Sequence, residues 1–99
     1  MGGEKVTTVH HFGGVNAVAF APGGEHFLTG SCDKSAVVWT FDGEKVTSVR
    51  HARSVFAVAF APSGGHVLTG SCDKSAVVWL APMLTPSDVG ANAEVVLGA

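Results

Sequence analysis

Residues 43–79 restate residues 3–39 at a shift of forty, and no other property of the chain restricts its fold as much. Gly3-Glu4-Lys5-Val6-Thr7 returns as Gly43 to Thr47, and Ala17-Val18-Ala19-Phe20-Ala21-Pro22 as Ala57 to Pro62. Leu28 to Trp39 returns unchanged as Leu68 to Trp79. A period of this size marks one supersecondary unit that buries its faces by stacking on its neighbours. The units run over residues 3–42 and 43–82. Residues 83–99 form a non-repeating tail with one short run, Glu94-Val95-Val96-Leu97, able to make a strand.

Inside a unit, four runs of five or six residues alternate with turn chemistry, the spacing of an all-β fold. In the first unit the expected strands are Lys5–His10, Val15–Phe20, His26–Ser31 and Ala36–Thr40. Between them lie His11 to Gly14, Pro22-Gly23-Gly24, Cys32-Asp33-Lys34-Ser35 and Phe41-Asp42-Gly43. Proline presets φ for a turn, glycine allows positive φ, and Asp bonds its own local backbone. The second and fourth runs are almost continuously apolar, as in strands covered on both faces. Valine is abundant in these runs, so helix is not expected.

Composition excludes several classes. The chain of 99 residues is 46% apolar with 13 further glycines and only 14% charged, against about 25% charged in an ordinary globular chain. A disordered tail needs the opposite balance. Net charge is −2, with six Lys and Arg and no basic run, so nucleic acid is not an expected partner. No apolar run reaches the ~18 residues of a membrane span. The N-terminus has no basic-then-apolar leader. Two cysteines, Cys32 and Cys72, make no disulfide framework, which points to an intracellular location, cytoplasmic or nuclear. What stays unexplained at this stage is the low charge, because small domains have proportionally more surface.

The repeat resembles the WD-repeat β-propeller family over residues 3–82. It carries His11, Val15-x-x-Val18-x-Phe20-Ala21-Pro22-Gly23-Gly24, Thr29-Gly30-Ser31-Cys32-Asp33-Lys34-Ser35 and Trp39. The second unit carries His51, Val55, Val58, Phe60, Pro62, Thr69, Asp73 and Trp79 in register. The resemblance implies two four-stranded antiparallel blades and a buried hydrogen-bonded tetrad in each: His11, Thr29, Asp33 and Trp39, then His51, Thr69, Asp73 and Trp79. The donor and acceptor types suit such a chain, since an indole N–H only donates and a carboxylate only accepts. The chain departs from the family pattern at three places. His10 and Arg50 replace the Gly before the tetrad His, Thr40 and Leu80 the Asp after Trp, and Gly23 and Ser63 the turn Asp.

The resemblance also implies that a unit supplies the outermost strand of one blade and the three inner strands of the next. Lys45–Arg50 then completes the blade of Val15–Thr40, the blade of Val55–Leu80 lacks its fourth strand, and Lys5–His10 lacks its sheet. Closed propellers have about four to eight blades. Leaving a few hundred Å² of apolar face wet forfeits several kcal/mol at ~25 cal/mol per Å², comparable to a small domain's whole stability. The expectation is an incomplete propeller that needs oligomerisation or further blades, with other copies of itself as partner in a trimer of six blades or a tetramer of eight. Two alternatives stand beside it: a fragment of a longer propeller without autonomous function, and a chain self-capped by Glu94–Leu97.

The two units differ mainly at Phe12-Gly13-Gly14-Val15-Asn16 against Ala52-Arg53-Ser54-Val55-Phe56, four changes in five positions. With His10, Arg50, Cys32 and Cys72, the residues Phe12, Asn16, Arg53 and Phe56 form a candidate partner-binding rim for an unidentified protein; drift after a recent duplication would leave the same pattern. No Cys-x-x-Cys or His-x-x-x-His spacing exists, so no metal and no cofactor is expected, although a ring would repeat Cys32, Cys72 and His10 symmetrically and make a ligand- or metal-binding channel the reading from another class. No nucleophile elbow or phosphate loop occurs, so the expected role is a protein-interaction scaffold and not an enzyme. His26 and His66 fall on the opposite rim, in solvent.

Overall fold

A computed structural model describes residues 3–81. Seven strands follow one another as β1 (Val15–Phe20), β2 (His26–Ser31), β3 (Ser35–Thr40), β4 (Lys45–Arg50), β5 (Val55–Phe60), β6 (His66–Ser71) and β7 (Ala76–Leu80). They make a four-stranded sheet in the order β1-β2-β3-β4 and a three-stranded sheet in the order β5-β6-β7, with every pairing antiparallel. No described residue is helical, and no helix is long and apolar enough to cross a membrane.

The turns follow from a few residues. After β1, the Gly24 N–H donates to Ala21 O at 2.9 Å with Gly24 at φ 79°, a left-handed conformation that glycine adopts without steric cost. After β3, Gly43 at φ 96° donates to Thr40 O, while the Thr40 hydroxyl accepts from the Glu44 N–H at 3.0 Å. Thr40 therefore ties this turn where the family pattern has Asp. The β2–β3 and β6–β7 turns put Lys34 and Lys74 at φ 79° and 78°. A lysine there costs about 1–2 kcal/mol, so the neighbouring Asp side chains must hold the turn.

Strand alternation gives each sheet two unlike faces. On the first sheet, Leu28 and Gly30 oppose Val38 and Ala36 on one face, while Phe27 and Thr29 oppose Trp39 and Val37 on the other. The second sheet turns its Thr69–Trp79 face onto the Leu28–Val38 face of the first. The core between them joins Leu28, Ala36 and Val38 to Val55, Val67 and Ala81, with Val58, Phe60 and Trp79 packed alongside. Gly30 permits this approach, since a Cβ there would stand 2.7 Å from Val55 Cγ1 and 2.9 Å from Val58 Cγ1.

As expected, Lys45–Arg50 completes the sheet of Val15–Thr40, while the sheet of Val55–Leu80 has three strands among the described residues and lacks its fourth. Two other expectations need correction. Residues Lys5–His10 are extended without being a strand. They find no ladder partner among the described strands. The segment instead lies along its own first sheet: Thr7 Oγ1 donates to Phe41 O at 2.7 Å, and a Cβ on Gly43 would meet Thr7 Cγ2 at 3.0 Å. The strand expected from Ala36 begins at Ser35. The tail, with Glu94–Leu97, lies outside the described residues.

Gly30→Ala is expected to destabilise the chain by about 1–3 kcal/mol, because its Cβ must push β5 away from a packed joint. Urea denaturation of the variant against the parent chain measures it, and an unchanged midpoint would contradict the packing described.

Candidate functional site

Each sheet carries one chain of four hydrogen-bonded side chains. β3 presents Trp39, β2 presents Thr29, the β2–β3 turn supplies Asp33, and the loop entering β1 supplies His11. Trp39 Nε1–H donates to Thr29 Oγ1 at 2.9 Å, and His11 Nε2 lies 2.6 Å from the same hydroxyl. His11 Nδ1 lies 2.9 Å from Asp33 Oδ2. With a neutral imidazole the direction is set: indole to hydroxyl, hydroxyl to Nε2, Nδ1–H to carboxylate. The second sheet repeats it with Trp79 to Thr69 at 2.9 Å, Thr69 to His51 at 2.6 Å and His51 to Asp73 at 3.0 Å. In each sheet the imidazole also meets the indole edge-on, at 6.1 and 6.2 Å between ring centroids.

The carboxylates are held by more than the histidines. Asp33 Oδ2 accepts the Phe12 N–H at 3.2 Å, and Oδ1 accepts the Ser35 N–H at 2.9 Å and the Ser35 hydroxyl. Ser31 Oγ accepts the Asp33 N–H at 3.0 Å. Burial alone would raise the Asp33 carboxyl, but the Ser35 hydroxyl, the His11 ring and the Ser35 and Phe12 N–H groups outweigh it and hold the group well below the usual carboxylate range. At Asp73 the Ser75 hydroxyl dominates, again against burial, with help from His51 and the N–H groups of Ala52 and Ser75. Ser31, Ser35, Ser71 and Ser75 were not singled out from the sequence. Their signal was there, as hydroxyls two residues either side of a turn Asp in both units. Because the Thr29 hydroxyl accepts from indole and donates to imidazole, both tetrads close on themselves and act as scaffolding.

The rim residues separate into different environments. Phe12 is fully exposed, and with His10, Arg50 and Lys45 it borders a recess of about 140 Å³ beside His11. Arg50 also donates to Asp33 O at 3.3 Å. Arg53 is exposed, as are the free thiols Cys32 and Cys72. Asn16 is committed elsewhere: its Nδ2 donates to Val55 O of the second sheet at 2.9 Å, and its Oδ1 lies 3.5 Å from Cys32 Sγ. Asn16 and Phe56 are the extra residues of bulges in β1 and β5, and a bulge re-aims its side chain. Phe56, 54% exposed, lies beside the outer face of the second sheet. Among the described residues no three His, Cys, Asp or Glu side chains converge as a metal site would need. His66, expected in solvent, is half-buried with Nε2 covered and unpaired.

Among the described residues two apolar faces stay open. On the first sheet, Val18, Phe20 and Phe27 form a groove of about 600 Å³ with Val6, Thr7 and Phe41. On the second, Ala57, Ala59, Leu68, Gly70 and Ala76 line a shallower surface of about 530 Å³. These are the same two kinds of face that meet between the sheets. Leu28 in that joint is 1% exposed and its equivalent Leu68 is 44%; Val55 in the joint is 0% exposed and its equivalent Val15 is 48%.

A family model described as WD40, WD domain, G-beta repeat, matches residues 3–40 and again residues 43–79. Among solved structures, the crystal structure of the computationally designed Ika4 protein superposes with a TM-score of 0.69 at 23% identity, over 79% of this chain and 48% of that one. The chain thus spans about half the length of that protein, and the likeness concerns the fold. No curated protein matches the sequence significantly.

Thr29→Val should cost about 1–3 kcal/mol, since it leaves the Trp39 indole and the His11 ring without their shared hydroxyl; thermal or urea unfolding reads it. The depressed Asp33 and Asp73 also fix a pH dependence. A carboxyl held below its unfolded value of 3.8 contributes stability fully above that value and loses it as pH falls through it. Melting temperature should therefore fall between about pH 5 and pH 2, and Asp33→Asn with Asp73→Asn should flatten that slope. Parallel pH profiles for the parent and the double variant would show that the tetrad carboxylates do not set it.

Proposed function

Because the chain belongs to the WD40 family of WD domain, G-beta repeats, we propose that it is a protein-interaction scaffold whose first partner is another copy of itself. The observation that carries this is the contrast between Leu28 and Leu68, identical residues at identical blade positions, the one covered and the other open. The open Leu68 face is of the kind that fills the internal joint, and the open Val18–Phe20 groove is of the kind that receives it. Head-to-tail addition of a second copy repeats the internal joint at each junction. Such heterologous contacts form a ring when the rotation closes, here with three copies for six blades or four for eight.

The same addition supplies the missing strand. Residues 5–10 already lie extended, held by Thr7 on Phe41, and the β7 edge of a neighbour stands open. By the β3–β4 register, in which Ser35 faces Arg50, Ala36 faces Val49 and Val38 faces Thr47, the incoming segment sets His10 opposite Ser75, Val9 opposite Ala76 and Thr7 opposite Val78. Such strand addition covers an edge that would otherwise invite aggregation.

In this ring the rim groups His10, Phe12, Cys32, Arg50, Arg53 and Cys72 recur around one end and offer a repeated surface to a protein partner. Asn16 and Phe56 lie at the joints between blades.

Native mass spectrometry of the full chain at micromolar concentration should give three or four times the 10.1 kDa chain mass. Gly70→Ala is the sharper test, since its Cβ meets only ordinary contacts at 3.7–3.9 Å within one chain. It should leave the strand content by circular dichroism unchanged and abolish assembly, as the equivalent Cβ at Gly30 would collide across the internal joint. A parent chain that stays monomeric at every concentration would refute the ring.

A further inference from the structure

The two joints of the proposed ring differ in one respect that the sequence repeat does not share. At the internal joint the bulge residue is Asn16, whose amide reaches Val55 O, next to Ser54. At the joint between copies the bulge residue is Phe56, and a shift of forty brings it to Val15 of the next copy, next to Gly14. The sequence changes run together. Before Val55, whose carbonyl Asn16 reaches, the chain carries Arg53 and Ser54; before the equivalent Val15 it carries Gly13, where a Cβ would stand 2.9 Å from Asp33 N, and Gly14. A Cβ on Gly14 would meet nothing within 4 Å, so the chain leaves open space there.

We propose that Phe56 is the anchor of the copy-to-copy joint, its ring seated over the Gly13–Gly14 loop of the adjoining copy; this rests on the ring reading above. In the single chain the ring rests 3.9 Å from the position of a Cβ on Gly70. In the internal joint the equivalent seat over Gly30 is filled by Val55 and Val58. Val15 and Val18 of an arriving copy take that seat, and the half-exposed ring turns to the space above Gly14. An aromatic side chain brought from exposure into a small-residue seat is the kind of group that dominates an association interface. The internal joint has no need of one, because its two blades are covalently joined. Three of the four differing positions are thereby sorted into a covalent joint, with Asn16, Arg53 and Ser54, and a non-covalent one, with Phe56, Gly13 and Gly14.

The test is a dilution series of the full chain by sedimentation velocity, with Phe56→Asn, Gly14→Leu and both together. Phe56→Asn removes the anchor and Gly14→Leu fills its seat. Each should raise the concentration of half-assembly at least tenfold. Circular dichroism should stay unchanged, since neither site is enclosed within one chain. Both together should raise it by much less than the product, because each removes the same contact. Parent-like assembly of either single variant, or losses that multiply, would overturn the anchor while leaving the ring standing. A parent chain that never assembles would overturn both.

Discussion

Leu28 and Leu68 occupy the same place in consecutive blades, yet a neighbouring sheet covers the first and nothing described covers the second. The rest of the structure depends on that constraint. A blade is a thin twisted sheet with apolar residues on both faces, so it is stable only between neighbours. The internal joint satisfies one face of each blade. No described residue covers the other two faces, and no described strand pairs with the outer edge of β7 or with segment 5–10. Low charge and high apolar content, anomalous for a chain this short, match a body whose two sheets carry apolar residues on their open faces as well as in the joint between them.

Two kinds of interaction divide the work within this frame. The tetrads act inside a blade, tying the entry loop to β2, β3 and the turn between them through groups that satisfy one another. Such a network tolerates burial because no member is left without a partner. Packing acts between blades and depends on the absence of side chain: Gly30 and Ala36 let Val55 and Val58 approach the first sheet. The bulge in β1 connects the two levels, because it turns Asn16 out of the ladder and onto Val55 O of the second sheet.

In the proposed assembly one open face of the chain receives the other, as a monomer unit does in the chemical sense. The repeat makes the free ends copies of the two surfaces already in contact inside the chain, which supports self-association over capture of an unrelated partner as the first event. In the proposed ring the rim carrying Phe12 and Arg53 would recur around one end, an arrangement suited to multivalent contact.

Much of this was legible in the residues. Turn chemistry and apolar runs marked the strands to within a residue, and the two in-register motifs marked the family. The misreadings share a cause. Lys5–His10 has the composition of a strand, but a strand also needs an edge to pair with, and no described strand pairs with this segment. Asn16 read as a rim residue because its part in a bulge, and hence its reach to Val55 O, is invisible in a list of residues. The serines beside Asp33 and Asp73 were passed over for the same reason, since their hydroxyls matter only once the turn has folded. Local chemistry along the chain determined the strands, the turns and the number of units, because those depend on near neighbours in sequence. Tertiary structure alone decided which of two identical faces is buried, since residues equal in type and local setting differ only in what stands across from them.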